Sequence, residues 1–375
     1  IISEPSNLYR VGVPNLYTRE FYQAVRGKLK PGGVFVQWLQ TYEADPNAIR
    51  TVFATLQTAF PHREAWGAMS GDVVLVCREG PPNYDADQLR QRLRDPGLTH
   101  ILQAALHVHD LEDWLALYLI GPEGVEFLAN HPEPAPINTD DKNIVEYKYA
   151  RSLGSRGYSL IELYREGREK GFHRPKISGN VDWESVDSQY ISRLALSSNR
   201  IPMFADFSAN LQTQSRAYQA YVEGRMRDYI QLWAQQPRAA RKSIELQLLT
   251  AASAFEGHAQ TPELVERLRA THPWEADALK GFSMIRAGKP AEARALLAKS
   301  VRVLRTNPWP HPVICRIILN AAQHVAMTQP SEGEELYGAL SQPFVISRLE
   351  EDRRWMSFET ATRLGKAALI VDALK

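Results

Sequence analysis

The sequence predicts an α/β domain at the front of the chain and an all-helical region behind it. Three observations carry this: strand-like and helix-like patterns alternate up to residue 78, a Pro-rich joint follows at 131–141, and helical periodicity is nearly continuous from about 211. The 375 residues, 44% hydrophobic, suffice for two or three domains with real cores and exclude disorder over the whole length.

The chain opens on Ile1 and Ile2, followed at once by "SEPSN". Two β-branched residues without an initiator Met read as the end of a buried strand, so the expectation is a protein entered in its middle. Thr18 is placed to cap a helix in which Tyr17, Phe21, Ala24, Val25 and Leu29 recur at helical spacing until "KPGG" ends it. "VFVQWLQ" is short, aromatic and β-branched, hence a strand. Asp45 and Pro46 then start a second helix, with Ile49, Val52, Phe53, Leu56 and Phe60 as its apolar stripe. "HREAW" and "DVVLVCR" read as two closing strands, and the whole alternation argues for a mainly parallel sheet with helices on its faces.

From 85 to 130 the pattern is helical, in "DADQLRQRLRD" and then "DLEDWLALYLIGPEGVEFLAN", and "NIVEYKYARSL" reads as a last extended segment. The domains predicted are therefore 1–155, a connector with some helix at 156–210, and a helical region at 211–375. Within the last, "ADALKGFSMIRAGKPAEARALLAKSV" sets Gly281, Gly288 and Ala293 at spacings of seven and five. It resembles one tetratricopeptide repeat, with a looser copy at Ala217, Gly224 and Tyr229; an unspecialised helical bundle is the alternative.

Acids and bases are interspersed and the net charge is +1, so no global field points to nucleic acid or to an anionic membrane; either partner would need a local patch. Cys77 and Cys315 sit in separate apolar runs and read as buried thiols of a reducing compartment. No apolar run approaches the ~20 residues of a membrane span, no signal peptide is seen, and no hydrolase or Walker-type motif occurs.

"IISEPSN", "TREFY", "LKPGG" and "PINTDDKNIVEY", taken in order, resemble the C-terminal half of spermidine synthase and its relatives over about 1–155. The resemblance implies a Rossmann-like methyltransferase sheet and a transferase that uses S-adenosylmethionine or its decarboxylated form as co-substrate, with no metal. The first acid of that family's loop, the proton acceptor for the attacking amine, falls at Glu4, and the second, which holds the cationic polyamine, at Asn7. Asn7 lacks the charge, and Pro5 stands in a loop that is more Ser-rich in the synthases. A carboxylate in reach of an ammonium both binds it and takes its proton as nitrogen attacks the carbon beside a sulfonium. Ser6 joins Glu4 and Asn7 in this loop as an acceptor-binding candidate.

Gln37 and Trp38 end their strand where such sheets place ligands, with Tyr42 and Glu43 on the rim; Trp38 lines the pocket or belongs to the core. Asp140 and Asp141 orient a substrate amine, or else close a turn together with Asn138 and Thr139. His107 and His109 point apart and read as a turn before a helix capped by Asp110; Arg353 and Arg354 read as mixed-charge surface.

The resemblance places the opening strand fourth in its sheet, so the donor's glycine-rich loop and ribose-binding acid are expected upstream. Some relatives are fused to a membrane transporter-like half, which would make this a cytoplasmic portion of an inner-membrane protein. The partners implied are a polyamine or other small acceptor and no nucleic acid. The competing reading is a catalytically degenerate scaffold that binds a peptide or partner subunit through its repeats.

Overall fold

The computed structural model describes residues 1–68, 72–154, 160–198, 200–236, 242–307, 309, 311–328, 330–345 and 347–365. The chain divides into two compact units, Ile1–Tyr190 and Ile191–Lys375, the first α/β and the second helical.

In the first unit, β1 (Ile2–Ser3) pairs in parallel with β2 (Phe35–Gln40), and the chain between them makes a 3-10 turn and α1 (Arg19–Lys28). Thr18 caps α1 as its position predicts, its hydroxyl accepting from the Phe21 N–H at 3.3 Å. Asp45 caps α2 (Pro46–Gln57) with Pro46 in the first turn, and Ile49, Val52, Phe53 and Leu56 are buried. Two strands follow, β3 (His62–Gly67) and β4 (Asp72–Arg78).

The sheet is mixed rather than mainly parallel. Its order is β1–β2–β4–β3–β6, where β6 is Tyr118–Ile120, and every pairing except β1 with β2 is antiparallel. The reason is connection length: β3 and β4 are joined by too few residues for a crossover, so they must form a hairpin. β4 inserts between β2 and β3 and reverses against both.

Phe35, Gln37 and Leu39 of β2 and Val73, Leu75 and Cys77 of β4 are buried on one face, where Phe35 meets Phe21 and Tyr22 edge-on and stacks on Phe60 at 5.6 Å. The opposite face carries Val36, Trp38, Val74 and Val76, all half-buried, and runs into a packed cluster of Trp66, Tyr84, Trp114 and Tyr118. Glu64 is buried beneath that cluster and accepts from the Tyr84 hydroxyl at 2.7 Å; burial holds its carboxyl above the usual range.

Further along come β5 (Tyr84–Asp85), α3 (Ala86–Arg92), α4 (Pro96–Leu106), α5 (Leu111–Leu115), then β6 and α6 (Pro122–Asn130). The stretch from 110 to 130 is thus broken where one helix is expected. Gly121 and Pro122 start a new helix, and Tyr118–Ile120 gain more by hydrogen bonding to β3 than by continuing the old one. "NIVEYKYARSL" is not extended either. It forms α7 (Ile144–Ser152), because the Asn143 side chain caps it and Val145, Tyr149 and Ser152 bury one stripe. The unit ends with α8 (Leu160–Glu169), β7 (Ile177–Ser178), which pairs in parallel with β5, and α9 (Trp183–Ser197), within which the division between units falls.

The second unit is a succession of helices: α10 (Ala209–Val222), α11 (Met226–Ala234), α12 (Ser243–Glu256), α13 (Thr261–Arg269), α14 (Pro273–Arg286), α15 (Pro290–Thr306), α16 (Pro312–Thr328), α17 (Pro330–Leu340) and α18 (Ser347–Arg363). Each packs on its neighbour, and α12, α14, α16 and α18 also pack in a row. Gly281 lies where α14 and α15 approach closely; a Cβ there would stand 3.3 Å from Leu297. Gly281→Leu is expected to lose about 1–3 kcal/mol of stability by overpacking, measured by urea unfolding of the full chain. Gly288 does different work: with φ +75 and open space around it, it ends α14 in a left-handed turn. Arg353 is buried instead of exposed. It pairs with Glu350 and donates to the Leu340 carbonyl at 2.6 Å, closing the end of α17. Both cysteines are buried, free thiols, and no helix among the described residues is long and apolar enough to cross a membrane.

Candidate functional site

The loop after β1 begins at the carboxyl end of a parallel pair, the position at which open α/β sheets leave a crevice for ligands. Glu4 and Ser6 are exposed there, Asn7 is half-buried, and Leu8 is fully buried and anchors the loop. A turn in which Arg10 N–H donates to the Asn7 carbonyl at 3.0 Å fixes the loop's exit.

β2 ends beside it. Gln37 is fully buried, its amide donating to the Leu16 carbonyl at 2.8 Å and its oxygen accepting from the Tyr22 hydroxyl at 2.8 Å. Both ends of this amide are spent on the scaffold under α1. Trp38 points to the opposite sheet face, half-buried, and its carbonyl accepts from the buried Tyr17 hydroxyl at 2.6 Å. Gln40 donates to the Tyr42 carbonyl, and Tyr149 donates from α7 to the Gln40 carbonyl at 2.6 Å. This buried phenol lattice sets the direction in which the chain leaves β2.

The next two residues are Tyr42 and Glu43. Glu43 takes a left-handed backbone, φ 52, and its carbonyl accepts from Ser152 Oγ at 2.8 Å. A non-glycine residue there costs energy, and such costs concentrate where a chain is held for a purpose. Tyr42 is 39% exposed and shares a side-chain hydrogen bond with Asn7. Its phenol sits above its ordinary range, first through burial and then through the Asp72 carboxylate, while the Asn7 hydrogen bond pulls it the other way. Asp72 arrives from β4, where it pairs in register with Gln40. Sequence reasoning missed Asp72, because only the hairpin brings β4 alongside β2.

Asn7, Tyr42, Glu43 and Asp72 thus converge on one rim, with Glu4 in the adjoining loop. Two carboxylates, an amide and a phenol suit a hydrogen-bonding cation such as an amine.

Asp140 and Asp141 are exposed in the turn that precedes α7. Asp140 offers its N–H to Glu20 at 3.1 Å, and Thr139 and Lys142 exchange backbone hydrogen bonds. The buried residue of this segment is Asn138, whose side chain donates to the Tyr17 carbonyl at 3.2 Å and accepts from the Val145 N–H at 3.1 Å. That amide ties the segment to the start of α1. His107 closes α4 in a left-handed conformation, and Asp110 caps α5 as its position predicts. Among the described residues no group of three His, Cys, Asp or Glu side chains is placed to hold a metal ion.

Compared with known proteins, the chain matches no family model, no curated protein and no solved structure.

Proposed function

We infer that the first unit is the acceptor side of a spermidine synthase-like transferase, in which a Rossmann-like methyltransferase sheet holds a sulfonium donor and an amine attacks it. The observation that carries this reading is the acidic rim of Asn7, Tyr42, Glu43 and Asp72 at the carboxyl ends of β1 and β2, with Glu4 beside it. The strand–helix–strand unit β1–α1–β2, parallel as such sheets require, is in keeping with it. So is the outer edge of β1: it is unpaired among the described residues, and Ile2 is 80% exposed although it belongs to the apolar row Ile2–Val36–Val76.

In this scheme the rim orients a polyamine ammonium. Glu4 would bind that ammonium and take its proton as the amine reacts, and a bound sulfonium donor would supply the electrophilic carbon. No residue of the chain is assigned to the donor, S-adenosylmethionine or its decarboxylated form.

Calorimetric titration of the full chain with putrescine and spermidine tests the acceptor half of this reading. Binding is expected, with the combined Glu4→Gln and Asp72→Asn variant weaker by about fivefold to thirtyfold, since each lost carboxylate near solvent is worth roughly 0.5–1 kcal/mol. Equal heats from variant and parent would remove the rim from the proposal.

A second reading is favoured by a separate observation. The row of α12, α14, α16 and α18 in the second unit presents Phe255 half-exposed and stacked on Phe282, with the Arg286 guanidinium 5.7 Å above its ring centroid. Tetratricopeptide-like repeats use such faces to hold peptides, and the helical unit would then bind a protein partner whether or not the first unit is catalytic.

A further inference from the structure

α12 and α14 pack side by side in the helical row of the second unit. From Gln247 the helical period carries one face of α12 through Ala251, Ala254 and Phe255, and from Glu275 it carries one face of α14 through Ala278, Leu279 and Phe282. Two contacts join these faces. At one end Gln247 Nε2 donates to the Glu275 carboxyl at 2.6 Å, and at the other Phe255 stacks on Phe282 at 6.4 Å. Between them lie Ala251, Ala254, Ala278 and Leu279, all buried, and three of these offer only a methyl group. Little apolar area holds the middle of the joint together.

Glu275 is 3% exposed, and among the described residues no lysine or arginine comes within 4.0 Å of it. The cations on the neighbouring helices go elsewhere: Arg269 of α13 and Lys299 of α15 both pair with Asp277. From α16 it meets the buried Cys315 thiol, which burial keeps protonated, and His311 ahead of that helix has His272 as its charged neighbour. His272 in turn shares a hydrogen bond with Ser243 of α12 at 3.1 Å, while the acid Glu245 of α12 lies toward Tyr229 of α11. A carboxyl whose hydrogen-bond partner is a neutral amide stays buried most cheaply as the acid; once ionised it demands solvation, and the interface it sits in is the α12–α14 joint. Burial accordingly pushes it up to about 8. Helical rows are held by nearest-neighbour interfaces, so one joint opens while the others stay closed.

We propose that the α12–α14 joint is a proton-operated hinge, closed while Glu275 keeps its proton and opened by the water that its carboxylate draws in. The Phe255–Phe282 stack, with the Arg286 guanidinium above Phe255, is the far end of the same hinge and parts with it. Control of a partner on that face rests on the peptide-binding reading given above; the hinge itself does not.

The test is hydrogen exchange of the full chain, read by mass spectrometry at about pH 6.5 and about pH 8.5, corrected for intrinsic rates and at labelling times too short for global unfolding to contribute. Peptides from α12 and α14 are expected to lose protection by about tenfold to thirtyfold at the higher pH, because the open form ionises at an ordinary carboxyl value and the closed form near 8. α10 and α18, outside the packing around Glu275, are expected to keep theirs. Glu275→Gln retains an acceptor for Gln247 and has nothing to ionise, so its α12 and α14 should exchange alike at both pH values. No loss in the parent, an even loss across all helices of the unit, or the same loss in Glu275→Gln overturns the proposal. The parent's own profile decides the matter even where the variant folds poorly.

Discussion

Replacing Asp187 by alanine is expected to destabilise the first unit by about 3–5 kcal/mol, the largest effect of any single substitution considered for this chain. Asp187 on α9 and Arg168 on α8 form a two-pronged pair at 2.6 and 3.1 Å, with side chains only 5% and 4% exposed. The Tyr164 hydroxyl donates to the same carboxylate at 3.0 Å, and Arg174 approaches it at 3.5 Å while lying over the Trp183 ring. Removing the carboxylate takes the two-pronged partner from a buried guanidinium that also donates to the Tyr164 hydroxyl at 3.1 Å. Urea unfolding of parent and variant measures the loss. A double variant, Arg168→Met with Asp187→Leu, is expected to recover most of it, since the cost lies in the orphaned charge and not in the absence of the pair. A loss below about 1 kcal/mol in Asp187→Ala would place the pair among solvent-screened surface bridges and contradict its burial.

The second large effect is a pH dependence in the helical unit. Glu275 on α14 is buried, accepts from Gln247 Nε2 at 2.6 Å, and burial pushes its carboxyl up to about 8. A carboxyl raised in the folded state favours folding while it stays protonated; that contribution is present below the ordinary value of 4.5 and is lost as pH rises toward 8. His311, fully buried on the approach to α16, runs the other way. Burial and then the neighbouring His272 push it down to about 3, so its contribution is present above 6.5 and lost as pH falls toward 3.

Between 4.5 and 6.5 the two slopes oppose and stability should be nearly flat. From 6.5 to 8 only Glu275 acts, and a fall of about 2 kcal/mol is expected, following from 1.36 kcal/mol per unit of pKa difference. Glu275→Gln should abolish that fall, because the amide keeps an acceptor for Gln247 without a charge to bury. Melting temperature of the full chain and of this variant across the range checks it. A parent curve that rises from 6.5 to 8, or a variant with the same fall as the parent, would remove Glu275 from the explanation.

The local chemistry of the chain was legible residue by residue. Thr18, Asp45 and Asp110 cap helices where their positions predict, because a cap is a contact between a side chain and a backbone N–H two or three residues away. The apolar stripe of α2 and the buried alternation of β4 were readable for the same reason, as period and burial are properties of a short window. The resemblance to the spermidine synthases nominates Glu4 and Asn7, and the end of the strand nominates Tyr42 and Glu43 as rim residues.

Where the sheet reverses could not be read from periodicity. A strand's pattern is the same in parallel and antiparallel pairing, and the insertion of β4 between β2 and β3 is a long-range choice. That choice brings Asp72 to Tyr42, whereas Gln37 and Trp38 face opposite sides of the sheet through the alternation of β2 itself. Tyr118–Ile120 became a strand because β3 offered an open edge, against a local pattern that favoured helix. Arg353 looks like a surface charge in sequence, and only the packing of other helices around it made it a buried one. The sequence by itself determined where helices begin, which faces are apolar and which loop carries acids, since these are short-range properties of the chain. The tertiary structure alone decided which of those residues meet and which charges lose their water, because burial is set by neighbours distant in sequence.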